Sequence, residues 1–232
     1  MTNATPAVDQ PAALSIVARA DAARYALLRR LAPSIRHHLV VNLQPIGMIY
    51  EVLERRLRAP APDLVHVHQS AQKINGFAKA ALNSCLDVVS WLAPDGSATT
   101  SAAEGVRECV GLLATSLSFR GYAVRNETGA VAGQVDRAAI RNVLTAALVH
   151  ATDHRPPPAE MFITAQGESA GLQITLALRA SSGSEGFANE ATYRHLEWAD
   201  VQALAAAESA QVERDGDVLH IMFPWALAMR TG

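Results

Sequence analysis

The sequence predicts an α+β protein, a long helical hairpin followed by a layer of helices on one mixed sheet. Three observations carry this. Apolar residues step in heptads through two stretches separated by a proline-rich break. The composition turns to Gly, Ser and Thr after Ser97. Beyond that shift, short strand-like runs alternate with Ala-rich helical ones. With 232 residues, 50% of them hydrophobic, the chain can bury a core as one large domain or two small ones.

Residues 1–12 read as a flexible tail. Ala13 to Leu31 has helical spacing, and Pro33-Ser34 predicts a helix restart. Leu39, Leu43, Ile46, Tyr50, Leu53 and Leu57 then alternate steps of four and three, the a and d positions of a bundle helix. Pro45 removes the bond to the Val41 carbonyl and predicts a kink. Arg58-Ala-Pro-Ala-Pro-Asp63 ends this helix and offers Asp63 as the cap of the next. A second seam runs through Leu64, Val67, Ala71, Ile74, Ala78, Ala81, Cys85, Val88 and Leu92, closed by Pro94-Asp95-Gly96. Residues 13–96 are thus expected to form a helical dimerisation domain. A lone hairpin leaves an apolar stripe bare, and a second copy covers it as a four-helix bundle. The other way to cover it is with Ala13 to Leu31 or with the C-terminal part.

Residues 97–232 are expected to be a second domain. A helix spans about Ala102 to Phe119 and ends at Gly121, Tyr122 to Glu127 is a strand, and Asp136 caps a helix reaching about Thr152 before three prolines. Met161–Ala165 and Leu172–Leu178 flank a Gly-containing turn. Trp198–Ser209 is a helix. Val212–Arg214 and Val218–Phe223 flank Asp215-Gly216 as a hairpin.

Several function classes are excluded. A net charge of -2 gives no electrostatic reason to bind nucleic acid or an acidic membrane. No apolar run approaches the roughly 20 residues of a membrane span, and the first residues fit no targeting peptide. Cys85 and Cys109 lack any metal-ligand spacing and suggest a reducing, cytoplasmic setting. His150 and His154, four apart beside Asp153, match no complete ligand set. His66 and His68 read as surface residues, and Trp91, Trp198 and Trp225 as packing aromatics.

Two segments carry a resemblance. Arg36-His37-His38-Leu39-Val40-Val41-Asn42-Leu43-Gln44-Pro45-Ile46 is similar to the H box of bacterial sensor histidine kinases, with His37 on the phospho-accepting position. Asn142-Val143-Leu144-Thr145-Ala146-Ala147-Leu148-Val149-His150 is similar to their N box, matching at Asn142, Leu144, Ala147 and His150. Asp217 to Trp225 resembles the last strand of that fold. Over about Pro33 to Trp225 the chain therefore resembles a histidine-kinase core, which implies a phosphotransfer hairpin and a Bergerat-like α/β sandwich.

The chain departs from the family where nucleotide is held. The magnesium-binding asparagine of the N box falls on Ala146, which has no oxygen for a hard cation. Arg179-Ala180-Ser181-Ser182-Gly183-Ser184-Glu185-Gly186 stands where the kinases have the adenine aspartate and a glycine-rich lid. Ala191 to Trp198 lacks the second glycine motif. A kinase-like core of this kind resembles the dimeric histidine phosphotransferases of the ChpT type. The resemblance implies phosphate relay between receiver-domain aspartates, with a hybrid histidine kinase as a possible source. It also implies no cofactor on this chain, the magnesium being the receiver's.

At 100° per residue, His37 lies roughly 160° from the seam and projects outward. Val41, Gln44, Met48, Glu51 and Arg55 share its row, making Val41, Gln44, Met48 and Arg55 candidates for receiver docking. The same residues would equally serve as packing positions. His38 stands where the family has an acid that orients the imidazole, and it is also a rival acceptor. The expected function is a histidine phosphotransferase. The alternatives are a pseudokinase adaptor acting by occupancy and an ATP-dependent kinase with an aberrant pocket.

Overall fold

The computed structural model describes residues 10–93, 96–183, 186–187 and 193–226. The expected tail up to residue 9 lies outside the described residues. So do the helix-closing Pro94-Asp95, Ser184-Glu185 of the lid-position segment, and Ala191-Thr192. The chain divides into two compact units, Ala32–Asp95 and a second one made of Gly96–Gly232 with the residues up to Leu31.

Helix α1 runs from Gln10 to Leu57 with Pro33 and Pro45 inside it, so the expected restart at Pro33 does not occur and residues 10–12 are already helical. Each proline removes one helical hydrogen bond. The helix nevertheless continues past Pro33. On the N-terminal flank Ala20, Ala23, Leu27 and Leu31 are almost fully buried. Sequence spacing grouped this segment with the hairpin. It belongs to the α/β unit instead, fastened by ion pairs from Arg19, Arg24 and Arg30 to Asp200, Glu208 and Asp153. Those arginines were invisible as partners because each mate lies more than 120 residues away.

In the hairpin unit, α2 (Leu64–Leu92) starts at Asp63, whose side chain accepts from the N–H groups of Val65 and His66. The heptad seam divides into two lines. Leu39, Ile46 and Leu53 of α1 and Val67, Ile74, Ala81 and Val88 of α2 are shielded. Asn42 bridges the helices, donating through Nδ2 to Ser84 Oγ at 3.2 Å and to the His38 carbonyl. The other half of the pattern, Leu43, Tyr50 and Leu57 with Leu64, Cys85 and Leu92, is exposed. Two helices have only one mutual interface, so one of two apolar lines stays bare.

The α/β unit begins with β1 (Thr99–Thr100), α3 (Ala102–Phe119, capped by Ser101), β2 (Tyr122–Asn126) and β3 (Val135–Asp136). Then come α4 (Arg137–His154, capped by Asp136), β4 (Ala159–Gly167), β5 (Gly171–Ala180), α5 (Trp198–Ala207), β6 (Gln211–Asp215) and β7 (Val218–Pro224). The two-residue β1–β3 ladder is too short to leave a sequence signal. The main sheet is ordered β2-β4-β5-β7-β6, with β2 and β4 parallel and the rest antiparallel. Alternate residues Met161 and Ile163, Leu172 to Leu178, and Leu219 to Phe223 point into a core covered by α4, while Thr164, Gln173, Thr175 and His220 take the other face. Gly171 is dictated by close approach: a Cβ there would stand 2.0 Å from the Phe223 carbonyl oxygen across the β5–β7 pair. Asp215 pairs with Val218, so the hairpin turn is Gly216-Asp217, one residue on from the expected Asp215-Gly216, with Gly216 at φ 57.

Candidate functional site

His37 lies on the outward side of α1, exposed. Its ring is 6.2 Å from that of half-buried His38, tilted by 54°. Among the described residues no carboxylate pairs with either ring; the histidines that meet one are His66 and His154. Val41, Gln44, Met48, Glu51 and Arg55 continue the row along the helix and are all exposed, Val41 at 50% and Met48 at 56%. An exposed imidazole with unbonded ring nitrogens above an apolar strip can take a phosphoryl group and meet a protein surface.

The positions that match the N box lie on α4 in the α/β unit, turned inward and bonded to their own chain. Asn142 donates through Nδ2 to Glu208 Oε1 at 2.7 Å, and Glu208 also receives Arg24. Ala146 is fully buried. His150 is 2% exposed, its Nδ1 2.7 Å from the Leu196 carbonyl oxygen. A carbonyl only accepts, so Nδ1 carries the proton. Beside the end of α4 lies a cavity of about 40 Å³ lined by His150, His154, Leu178 and Leu219, with Arg155 paired to Asp217 at its edge. That is room for a few water molecules on roughly the 10–15 Å³ that each needs.

Charge on the helices around α4 is balanced locally. Burial pushes the Glu108 carboxyl upward, but Arg137 and Arg141 outweigh it and hold it below its ordinary range. At Asp200 burial is likewise outweighed, by Arg194, the Glu197 N–H and Arg19. Burial raises the Cys109 thiol to about 12, leaving it unreactive at neutral pH, while Cys85 is exposed. Among the described residues no group of three His, Cys, Asp or Glu side chains could hold a metal ion.

His150 gives the α/β unit a pH dependence. Burial lowers its pKa, outweighing the bond to the Leu196 carbonyl, and the neighbouring His154 and Arg214 add to the lowering. Below about pH 6.5 the unfolded chain takes up a proton that the folded chain refuses. Stability is therefore full above that pH and falls as the pH drops toward the folded value. Urea midpoints should decline between pH 7 and pH 5.5, and His150→Leu should flatten the decline.

In this chain a helical hairpin precedes an α/β sandwich. Solved structures similar to it include a histidine kinase from Burkholderia phymatum, at 17% identity and TM-score 0.43 over 86% of this chain and 98% of that one. The histidine kinase AdeS of Acinetobacter baumannii is 15% identical over 79% of this chain and 98% of its own, TM-score 0.42. A bacterial phosphotransferase is 11% identical over 85% and 95% respectively, TM-score 0.40. No protein-family model and no curated protein matches the chain. No helix among the described residues is long and apolar enough to cross a membrane.

Proposed function

We propose that the protein is a homodimeric histidine phosphotransferase of a two-component phosphorelay, in which His37 exchanges phosphate with receiver-domain aspartates. The observation that carries this reading is His37 itself, exposed on the outer face of α1 with no hydrogen-bond partner among the described residues and Val41, Gln44 and Met48 exposed along the same row. In the forward step an imidazole nitrogen attacks the phosphorus of an aspartyl phosphate. The N–P bond forms as the P–O bond to the carboxylate breaks, and transfer to a second receiver reverses it. The receiver brings the magnesium ion.

The N-box positions support transfer without ATP. Asn142 is held by Glu208, and Ala146 has no oxygen and no exposure, so neither side chain is placed to ligate a magnesium ion. Phosphoryl transfer from phosphorylated receivers to the wild type and to His37→Ala tests the reading. A non-catalytic adaptor would bind a receiver equally well in both and carry no label in either.

The bare line of the hairpin supports the dimer. Sedimentation of the wild type should show a concentration-dependent dimer. Leu43→Glu, which puts one unpaired carboxylate per copy into the shared core, should weaken it by roughly 100-fold or more. A wild type that stays monomeric at all concentrations would sink the dimer.

A further inference from the structure

We propose that His66, oriented by Asp63 at the tip of the hairpin, is a second phosphorylatable imidazole, open to small diffusible donors of the acyl-phosphate and phosphoramidate class rather than to a docked receiver domain. His66 Nδ1 lies 2.6 Å from Asp63 Oδ2, both side chains being more than half exposed. The hydrogen bond from His66 draws the Asp63 carboxyl below its ordinary range, helped by the His66 backbone N–H. The carboxylate is thus ionised at neutral pH and can only accept, so the shared proton sits on Nδ1. This fixes the tautomer. The lone pair is then on Nε2, at the outer end of an exposed ring.

His37 and His68 lack this arrangement. Among the described residues the ring of His37 meets that of His38 and no carboxylate, and an unpartnered imidazole divides its proton between both nitrogens. His68 Nε2 is 3.0 Å from Gln72 Nε2, so its outer nitrogen is already engaged. The tip also favours an anionic donor. Arg55 and Arg56 occupy the last turn of α1, where it meets the loop to α2, and neither has a carboxylate partner among the described residues, Glu54 being taken by Arg58.

In the reaction the Nε2 lone pair attacks phosphorus. The N–P bond forms while the bond to the leaving group breaks with its electron pair, releasing a carboxylate from an acyl phosphate or ammonia from phosphoramidate. The positive charge that develops on the ring is met by Asp63 through the Nδ1 proton. The proposal goes beyond the relay reading and does not depend on it.

Phosphoramidate tests it directly on the full-length protein, with each phosphohistidine located and timed by 31P NMR and peptide mass spectrometry. His66 should be phosphorylated on the order of 10-fold faster than His68, less than the roughly 100-fold of a fully positioned acid–base pair because both side chains are exposed. Asp63→Asn should remove that advantage with the far-ultraviolet circular dichroism unchanged, because Asn caps a helix as well as Asp. Equal rates at His66 and His68, or an undiminished rate in Asp63→Asn, would overturn the proposal. His37→Ala should leave the His66 rate unaltered, so loss of receiver-dependent transfer in that variant reports on the relay alone.

Discussion

Replacing Asp153 by alanine should destabilise the α/β unit by about 3–5 kcal/mol, the largest single-residue effect expected on its folding. The carboxylate has two buried clients. Its Oδ2 accepts from Arg30 Nη1 and from the Leu196 backbone N–H, both at 3.0 Å, and its Oδ1 accepts from Arg30 Nη2. The Arg30 and Asp153 side chains are 6% and 2% exposed, so water cannot replace the lost partner. Alanine leaves a guanidinium and an amide stranded. The pair also fastens α1 to α4 beside Leu27 and Leu31, so the N-terminal part of α1 should loosen with it.

A double variant separates the pair from its neighbourhood. Arg30→Met with Asp153→Leu removes both charges and keeps apolar volume, leaving only the Leu196 N–H without a partner. Urea denaturation should return most of the stability lost in Asp153→Ala. If the double variant is as unstable as the single one, the burial of Ala20, Ala23, Leu27 and Leu31 carries the docking and the ion pair adds little.

The difference between what the sequence showed and what it hid follows the range of the interactions. Helix α3, the caps Asp63 and Asp136, and the two hairpins of the sheet, β4–β5 and β6–β7, were legible because capping, turn chemistry and alternation act over a few residues. The heptads located both hairpin helices. They could not show that Leu39, Ile46 and Leu53 are shielded while Leu43, Tyr50 and Leu57 are exposed, since that depends on how many partners surround the seam. The α1 segment before Pro33 went to the wrong neighbour for a similar reason. Its spacing says only that it is helical, and its attachment rests on Arg19, Arg24 and Arg30 meeting distant carboxylates. At the candidate sites, the outward direction of His37 followed from 100° per residue, and the structure places that ring in the open. The Asp63–His66 pair sits at a spacing of three that was in plain view. It passed as a helix cap and a surface histidine because the carboxylate performs both tasks at once.

If His37 is the relay acceptor, as proposed, His37→Ala should abolish phosphoryl transfer from receiver domains, a loss of 1,000-fold or more, because alanine cannot carry the covalent intermediate. The same variant should still dimerise and bind receivers, since Leu43, Tyr50 and Leu57, together with Val41 and Met48, are untouched and alanine is a better helix former than histidine. His38→Ala is the informative partner. Its ring stands 6.2 Å from that of His37 and supplies no fixed negative charge, so its removal should change the rate by less than about 10-fold. Restoring a carboxylate there tests the same reasoning in the other direction. His38→Glu places an acid one residue from His37, and transfer should quicken if the native rate is limited by an unoriented imidazole. Label that persists in His37→Ala but disappears in His38→Ala would move the acceptor to His38. Label absent from the wild type, with receivers still bound, would instead make occupancy of the receiver the function of the exposed row from Val41 to Arg55.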